Sequence, residues 1–237
     1  MARAVAARSG AKRVRLSIIV PMLNEAAALP GLLAQLAHWR TRGCEVVLVD
    51  GGSADDSAVL ARAAGFTVVE AERGRARQMN AGAAKAGGEV LLFLHADTQL
   101  AADADASVRA ALAEADREWG RFDVRITGRS PMLRVVATLM NLRSRLTGIA
   151  TGDQAMFVRR EAFEAVGGFP LQPLMEDVEL SRRLLRRSRP ACLRLRVATS
   201  GRRWEQRGVW RTIFLMWRLR WAYWRGVPAE RLAEAYR

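Results

Sequence analysis

Short apolar runs alternate with helical patterns through the first hundred residues, and this alternation restricts the fold more than any other feature. Four runs are mostly apolar and are interpreted as buried strands: residues 16–20, 45–49, 66–69 and 90–94. Three helical patterns separate them, at residues 25–39, 53–64 and 75–86. Strands that are apolar on both faces, with helices between them, are typical of a parallel sheet covered on both sides. We therefore predict a doubly wound α/β fold, with Pro21 ending the first strand because it has no amide hydrogen.

The second half of the chain is less regular. Its patterns predict helices at 103–116, 131–146 and 176–187, strands at 121–127 and 153–159, and one long aromatic helix at 207–225. Residues 1–15 hold four arginines, one lysine and no acid, and we predict a disordered basic tail there. They lack the apolar run of a secretory signal, so we expect a cytoplasmic protein.

The charge of the chain favours anionic partners. The 237 residues carry a formal net charge of +14, and Lys12 and Lys85 are the only lysines, so arginine supplies nearly all of the positive charge. Nucleotide diphosphates, anionic lipid surfaces and nucleic acid all fit this sign. No zinc-finger, helix-turn-helix or aromatic single-strand-binding pattern is present, and we expect no nucleic acid partner. Two cysteines, Cys44 and Cys192, are too few for a disulfide scaffold.

Polar side chains collect where the predicted strands end. Asn24 and Glu25 follow the first strand, Asp50 ends the second, and His95 and Asp97 follow the fourth. Each acid alone also fits a helix cap or a turn. Because the carboxyl ends of parallel strands share one edge, where ligands bind in such sheets, their joint placement predicts a ligand site.

Six strings carry a family resemblance: VPMLNE, LVDGGSADDS, GRARQMNAG, FLHAD, GDQAMFVRR and MEDVEL, in this order. The series resembles the family 2 glycosyltransferases, and most of all the bacterial radical SAM/selenodomain-associated glycosyltransferases. The resemblance implies an enzyme, hexosyltransferase-like, with the GT-A fold and a C-terminal amphipathic helix. It also implies a catalytic domain at 16–204, made of a nucleotide-binding half (16–100) and an acceptor-side half (101–204), before a helical segment at 205–237.

The resemblance implies a set of nucleotide-sugar ligands in the first half: Pro21, Asn24, Glu25, Asp50, Gly52, Arg75 and Arg77. Glu25 and Asp50 would bind the nucleoside, since a carboxylate accepts hydrogen bonds from a base or from ribose. The glycine turn after Asp50 would admit the nucleotide to the backbone. Arg75 or Arg77 would hold phosphate near a helix N-terminus. The competing interpretation of Asp50 is a helix cap.

The HAD string stands where the family has its acidic metal motif. Asp97 would bind Mg²⁺ or Mn²⁺, which prefer hard oxygen ligands. The sequence departs from the pattern at His95, where many relatives have aspartate, and His95 either binds the metal, contacts phosphate or supports Asp97. Glu176 and Asp177 match the family's paired acids, with Asp177 as the base that deprotonates the acceptor. Alternatively, these two acids only complement the dipole of a helix that starts there.

Two further segments resemble parts of the donor and acceptor pocket. Gly152 and Asp153 match the stretch on the acceptor side, although a turn before a strand gives the same pattern. Arg203 would contact diphosphate and Trp204 would stack on an acceptor. The glutamine expected before this arginine-tryptophan pair is missing, which argues against a processive polymer synthase. For Asn80, packing and ligand contact are equally open.

The last predicted helix is amphipathic. One side holds Trp210, Ile213, Phe214, Trp217, Trp221 and Trp224, and another holds Arg207, Arg211, Arg218 and Arg225. This pattern fits peripheral membrane contact, at the inner face of the cell membrane, and fits docking on the catalytic domain or dimerisation equally well. Arg220 lies on the apolar side and argues against deep insertion.

The leading hypothesis is an inverting glycosyltransferase with a UDP-sugar donor. Its acceptor is left open as a lipid phosphate, a saccharide or a small metabolite. A sugar nucleotidyltransferase is the enzymatic alternative, but such enzymes open with a glycine-rich arginine loop after the first strand, where this chain has Pro21, Asn24 and Glu25. The other alternative is a noncatalytic module that binds nucleotide or membrane.

Overall fold

The computed structural model describes residues 14–114 and 116–236. The described strands are β1 (Leu16–Met22), β2 (Glu45–Asp50), β3 (Thr67–Glu70), β4 (Val90–Phe93), β5 (Thr98–Gln99), β6 (Trp119–Thr127), β7 (Met156–Arg159) and β8 (Ala191–Ser200). The described helices are α1 (Leu29–Thr41), α2 (Ser57–Ala63), α3 (Arg75–Lys85), α4 (Ala104–Ala113), α5 (Met132–Thr147), α6 (Arg160–Ala165), α7 (Glu176–Leu185), α8 (Arg202–Arg207), α9 (Val209–Trp224) and α10 (Ala229–Tyr236). A 3₁₀ turn at Gly152–Gln154 precedes β7.

The described strands form one sheet, in the order β3-β2-β1-β4-β7-β6-β8-β5. The first half is parallel throughout: β1 pairs with β2 and β4, and β2 pairs with β3. β7 is antiparallel to both β4 and β6, β6 and β8 are parallel, and β5 is antiparallel to β8. The predicted α/β fold, with a doubly wound and mostly parallel sheet, is therefore confirmed.

Alternate residues of β1 face two separate cores, which is why this strand is apolar except for Ser17. Ile18 and Val20 pack on the side of α1, together with Leu36 and Trp39. Ile19 packs on the opposite side, among buried residues of β2, α3 and α7. Burying one such aliphatic side chain stabilises the fold by roughly 1.5–3 kcal/mol. The two cores fix the sheet between its helices, and with it the edge at which the strands end.

The predicted end of the first strand at Pro21 is wrong. Pro21 lies inside β1 and is in register with Val49 of β2. The backbone oxygen of Ile19 accepts a hydrogen bond from Leu94, on the β4 side, and that of Met22 accepts one from Gly51, on the β2 side. Because backbone groups alternate in direction along a strand, Pro21 faces the β4 side, where pairing has already ended at Ile19. Its missing amide hydrogen therefore costs no ladder bond.

Two other predicted elements are also wrong in detail. The strand predicted from 153 starts only at Met156, because the 3₁₀ turn and the left-handed Ala155 (φ 45°) precede it. The helix predicted at 207–225 starts only at Val209, because Gly208 (φ 84°) separates it from the short α8, and a left-handed residue cannot continue a right-handed helix. β5, β8, α6, α8 and α10 were not predicted.

The chain enters the sheet just before β1. The predicted tail at 1–15 lies outside the described residues except for Val14 and Arg15. The Val14 carbonyl accepts a hydrogen bond from Arg109 Nε, and Arg15 Nη2 donates one to the Gly87 carbonyl. Among the described helices, none is long and apolar enough to cross a membrane.

Candidate active site

Asp50 organises the turn that follows β2. Its carboxylate is buried and accepts hydrogen bonds from the backbone nitrogens of Gly52 and Ser53, at 3.1 and 3.0 Å, and from Ser53 Oγ at 2.5 Å. Gly52 has φ 82°, which a residue with a side chain rarely adopts. Asp50 thus stabilises its own turn and is not the helix cap of the competing interpretation, because α2 starts at Ser57 with Asp56 at its N-cap. The turn leaves the backbone at Gly52 open to an approaching group.

The loop after β1 is fastened to this turn. Asn24 has a positive φ of 54° although it is not a glycine, and its Oδ1 accepts a hydrogen bond from the Ala54 nitrogen at 2.8 Å. Its own nitrogen donates to Ser53 Oγ at 2.9 Å, and the Glu25 nitrogen donates to Ser57 Oγ at 2.8 Å. These bonds place the Glu25 and Asp50 loops side by side at the carboxyl end of the sheet, as predicted for a ligand site there.

Glu25 and Asp97 are electrostatic neighbours across this edge. Burial raises the pKa of Glu25, and the charge of Asp97 raises it further, while Arg202 opposes the shift. Asp97 is exposed, and its Oδ1 receives only a long hydrogen bond from Thr98 Oγ1, at 3.4 Å. Its carboxylate therefore keeps lone pairs for another partner, and a cation would relieve the repulsion between the two acids. Residues here fit the hard oxygen chemistry of Mg²⁺ or Mn²⁺.

No cluster of three or more His, Cys, Asp or Glu side chains suited to a metal occurs in the described ranges. Metal binding by Asp97 therefore stays a prediction, and His95 lies two residues before it in the sequence. His95 presents neither ring nitrogen freely. Nδ1 lies 3.3 Å from Asp153 Oδ1, and Nε2 is buried without a hydrogen-bond partner. A role for His95 as metal ligand stays a prediction.

A small pocket brings residues from five segments together. It is lined by Arg75, Met79, Phe93, His95, Gly152, Met156, Phe169, Glu176 and Asp177. Five of these were predicted as site residues from separate strings of the sequence. Their convergence follows from the topology, because α3, β4, the 3₁₀ turn and the start of α7 all meet beside the carboxyl end of β4.

Gly152, in the 3₁₀ turn, lies against both Asp177 and His95. Its backbone nitrogen donates a hydrogen bond to Asp177 Oδ2 at 2.8 Å. A Cβ atom at this position would lie 2.3 Å from His95 Nε2, so that only glycine fits against the ring. Asp153 beside it is held by His95: burial would raise the pKa of Asp153, but the His95 hydrogen bond and the charges of His95, Arg75 and Arg203 lower it.

Glu176 and Asp177 begin α7 immediately after the left-handed Met175 (φ 64°). Glu176 is buried, and burial together with the adjacent charge of Asp177 raises its pKa, although Arg75 Nη1 lies 3.7 Å from Glu176 Oε1. Asp177 Oδ1 accepts a hydrogen bond from the Val178 nitrogen at 2.7 Å. Each Asp177 oxygen holds one hydrogen bond and retains a lone pair to accept another.

Other predicted site residues lie outside the pocket lining. Arg77 forms an ion pair with Glu72, and both side chains are about half or more exposed. Trp204 is partly buried and packs against the α1-side core. Arg203 Nη1 donates to Tyr236 Oη at 2.7 Å, and its charge reaches Asp153. Their roles in binding stay predictions.

Asn80, for which packing and ligand contact were open, has a packing contact. Its Nδ2 donates to the Phe169 carbonyl at 2.8 Å, and its Oδ1 accepts from the Phe169 nitrogen at 2.9 Å. The amide therefore satisfies both backbone hydrogen-bonding groups of Phe169, in the loop before α7.

Sequence reasoning missed two arginines near the site. Arg202, at the start of α8, acts electrostatically on Glu25. Arg143, on α5, acts on Asp177, and its Nε and Nη2 are buried with no hydrogen-bond partner in the described part of the chain. No string around Arg143 marks it, because only the packing of α5 against the 3₁₀ turn brings it there.

Comparison with known proteins identifies relatives of this chain. The model of the family described as glycosyl transferase family 2 matches residues 17–167. The PGL/p-HBAD biosynthesis glycosyltransferase of Mycobacterium tuberculosis is 34% identical over 167 residues, which cover 66% of this chain. The chain spans only 63% of the length of that relative.

Two solved structures share the fold. The mannosyltransferase PcManGT from Pyrobaculum calidifontis, in complex with GDP-Man and Mn²⁺, has a TM-score of 0.64 at 23% identity, over 90% of this chain and 62% of its own. Staphylococcus aureus TarS 1-349, in complex with UDP-GlcNAc, has a TM-score of 0.62 at 20% identity, over 78% and 58%. This likeness agrees with the predicted GT-A type sheet.

Proposed function

Because this chain belongs to glycosyl transferase family 2, we propose that it transfers a sugar from a nucleotide diphosphate donor to a nucleophilic acceptor, with inversion at the anomeric carbon. The observation that carries the proposal is the hydrogen bond from the Gly152 nitrogen to Asp177 Oδ2. It joins the acid proposed as base to the turn that touches His95, two residues from Asp97. We propose that one cleft holds both an acid for the acceptor, Asp177, and an acid for the leaving group, Asp97.

The proposed donor is a UDP-sugar. The family resemblance favours it, and the TarS structure with UDP-GlcNAc supports it, whereas the PcManGT structure was solved with GDP-Man. Glu25 and the Asp50 turn would receive the nucleoside, and Gly52 would allow its close approach to the backbone. Arg75, whose guanidinium faces Glu176, would contact the diphosphate or the sugar.

Asp97 would hold Mg²⁺ or Mn²⁺ together with oxygens of the diphosphate. When bound, such an ion supplies Lewis-acid neutralisation of the charge that develops on the leaving diphosphate. The PcManGT structure contains Mn²⁺, which supports a divalent ion without deciding between the two. Arg203 is proposed to add positive charge on the same side, from its position near Asp153.

Asp177 would act as the base. The hydroxyl oxygen of the acceptor forms a bond to the anomeric carbon as the bond from that carbon to the diphosphate oxygen breaks. The hydroxyl proton passes to the Asp177 carboxylate, and the nucleoside diphosphate leaves with both electrons of the broken bond. The hydrogen bonds from Gly152 and Val178 orient this carboxylate before the reaction.

One face of α9 exposes aromatic side chains and bears on where the protein is located in the cell. Its exposed aromatic side chains are Trp210, Phe214, Trp217, Trp221 and Trp224, whereas Ile213, predicted on the same side, packs inward. We propose peripheral contact of this face with the inner surface of the cell membrane, where tryptophan is favoured. Membership of the radical SAM/selenodomain-associated subgroup also stays a prediction.

The test is a panel of nucleotide sugars with Mn²⁺ or Mg²⁺, followed by measurement of released nucleoside diphosphate. Asp177→Asn should lower turnover by about 10²–10⁴-fold without lowering Tm. Asp97→Asn should raise the Mn²⁺ concentration needed for half-maximal turnover, and EDTA should stop turnover. Asp103→Asn, an exposed acid before α4, is the matched control and should behave as wild type.

Three results would count against the proposal. Full turnover in Asp177→Asn would remove the base assignment. Pyrophosphate release from a nucleoside triphosphate and a sugar phosphate would instead indicate a nucleotidyltransferase. Nucleotide binding with no turnover of any donor, in the presence of a broad acceptor mixture, would indicate a noncatalytic module.

A further inference from the structure

An exposed apolar stripe runs along α5. Val135, Leu139, Leu142 and Leu146 are 46%, 51%, 51% and 70% exposed, respectively. Their spacing of four, three and four residues puts them on one face of the helix. The opposite face is buried, with Leu133, Val136 and Ala137 in the core. A row of four large aliphatic side chains in water is unusual for a helix whose other side is already satisfied.

A second exposed apolar face lies on α9, a helix with which α5 is in contact. Five aromatic side chains of α9, from Trp210 to Trp224, are 59–80% exposed. Exposed arginines on α9 (Arg211, Arg218 and Arg225) and Arg134 on α5 accompany the apolar side chains. An apolar surface with a cationic rim is complementary to a molecule that has an apolar part and an anionic part.

The helix that carries this stripe also reaches the active site. Asn141 Oδ1 accepts a hydrogen bond of 3.4 Å from Gln154 Nε2, in the 3₁₀ turn whose Gly152 holds Asp177. Two residues further along α5 is Arg143, with its buried, unpartnered Nε and Nη2. Burial lowers the pKa of this guanidinium, and the charge of Asp177 works against that shift. Buried donors are rarely left without an acceptor, and these two nitrogens have none among the described residues, so they are suited to an anionic group from a ligand.

From these positions we propose that the acceptor is an anionic amphiphile, whose apolar chain lies along the α5 stripe and whose anionic group pairs with Arg143. The proposal deepens the proposed function and rests on it, because it names the acceptor class for the same site. The anionic group serves for recognition only. The acceptor hydroxyl still attacks the anomeric carbon, loses its proton to Asp177 and displaces the nucleoside diphosphate, so the balance of the reaction is unchanged.

The test uses decyl phosphate as the probe, below its micellar concentration, with inorganic phosphate and decyl maltoside as the head-only and neutral-head comparisons. Binding is measured by isothermal titration to the full chain. Wild type should bind decyl phosphate at least about tenfold more tightly than either comparison, because only that probe offers both the charge and the chain.

Matched variants separate the two contributions. Arg143→Gln and the double variant Leu142→Gln/Leu146→Gln should each weaken decyl phosphate binding by about tenfold. Arg62→Gln, which changes an exposed arginine on α2, and Val59→Gln, which changes an equally exposed apolar residue on the same helix, should have no effect.

Equal affinity of wild type and Arg143→Gln for decyl phosphate would overturn the proposal, as would inorganic phosphate binding as tightly as decyl phosphate. A wild-type dimer that the double leucine variant converts to monomer, by sedimentation, would assign the stripe to a second copy and overturn it as well. Donor turnover with Mn²⁺ is measured in parallel. Retained donor turnover with no amphiphile binding refutes this inference alone, and absent donor turnover refutes the proposed function.

Discussion

Replacing Gly152 with alanine tests whether the 3₁₀ turn, His95 and Asp177 act as one unit. The added Cβ would lie 2.3 Å from His95 Nε2 and 2.4 Å from Cε1. Non-bonded heavy atoms normally stay about 3.5 Å apart or more, so the ring or the turn must move by about 1 Å. The Gly152 nitrogen donates to Asp177 Oδ2, and this movement is therefore passed to the proposed base.

A misplacement of about 1 Å in an active site lowers the rate by about 100-fold. We expect that loss in kcat/KM for Gly152→Ala, measured as nucleoside diphosphate released from the donor with Mn²⁺. Overpacking should also cost about 1–3 kcal/mol in the free energy of unfolding, measured with urea. Gly31→Ala is the matched control, because a Cβ at Gly31 meets nothing within 4 Å, and it should leave kcat/KM unchanged.

A kcat/KM within threefold of wild type for Gly152→Ala would refute the coupling. A second measurement locates the cause. If the clash with His95 transmits the effect, Gly152→Ala should cost much less in a His95→Ala background than in wild type, and the two changes should not be additive. Additive losses would show that the ring and the turn act independently.

Three other predictions concern single residues. The pKa of Glu176 is raised in the folded protein, so its contribution to stability is complete below pH 4.5 and is lost as the pH rises through the folded value. The Tm of Glu176→Gln should therefore improve relative to wild type from pH 4.5 upward. A Tm difference that does not change with pH would contradict this. Asp105→Ala removes the carboxylate that pairs with Arg42 and Arg109 and should cost about 3 kcal/mol in urea unfolding at pH 7. That cost should shrink as the pH falls below 3.8, because the two arginines outweigh burial and lower the Asp105 pKa; a cost that stays constant over that fall would argue against it. Asn80→Ala should lower stability by about 1–3 kcal/mol while leaving the donor KM unchanged, and a raised KM would give Asn80 a ligand role.

The first half of the fold was predictable because three of its four strands, β1, β2 and β4, are buried on both faces. Residues 16–20 and 45–49 read as apolar runs whatever their partners, and parallel pairing of neighbours follows from the helices between them. Pro21 was misplaced for a physical reason: a proline ends a strand only where its nitrogen would have to donate. That depends on how far β4 extends, which the local sequence does not contain.

The second half was harder because its pairing is distant in sequence. β8 pairs with β6 over some seventy residues, and its alternating Leu193, Arg194, Leu195 and Arg196 show only an edge-like half-buried pattern. The start of α9 was predicted two residues early, because the pattern did not show that Gly208 takes a positive φ and separates α8 from α9.

Site residues embedded in family strings, such as Asp177 and Gly152, were found from the sequence, whereas Arg143 was not. Its environment is made by α5, the 3₁₀ turn and α7, three elements that meet only in the folded chain. The ion pair of Arg77 with Glu72 could not be predicted either, since it depends on the direction of the side chains at the start of α3.

Gln78 of α3 carries a consequence for how the cleft meets its ligand. Its buried Nε2 donates to the carbonyls of Met22 and Val49, at the tips of β1 and β2, and so braces the spread between the two strands. The gap that would receive the nucleoside is thus set by a side chain beneath it, and no ligand is needed to open it. We expect the distance between the Glu25 and Asp50 loops to be the same in empty and occupied crystals.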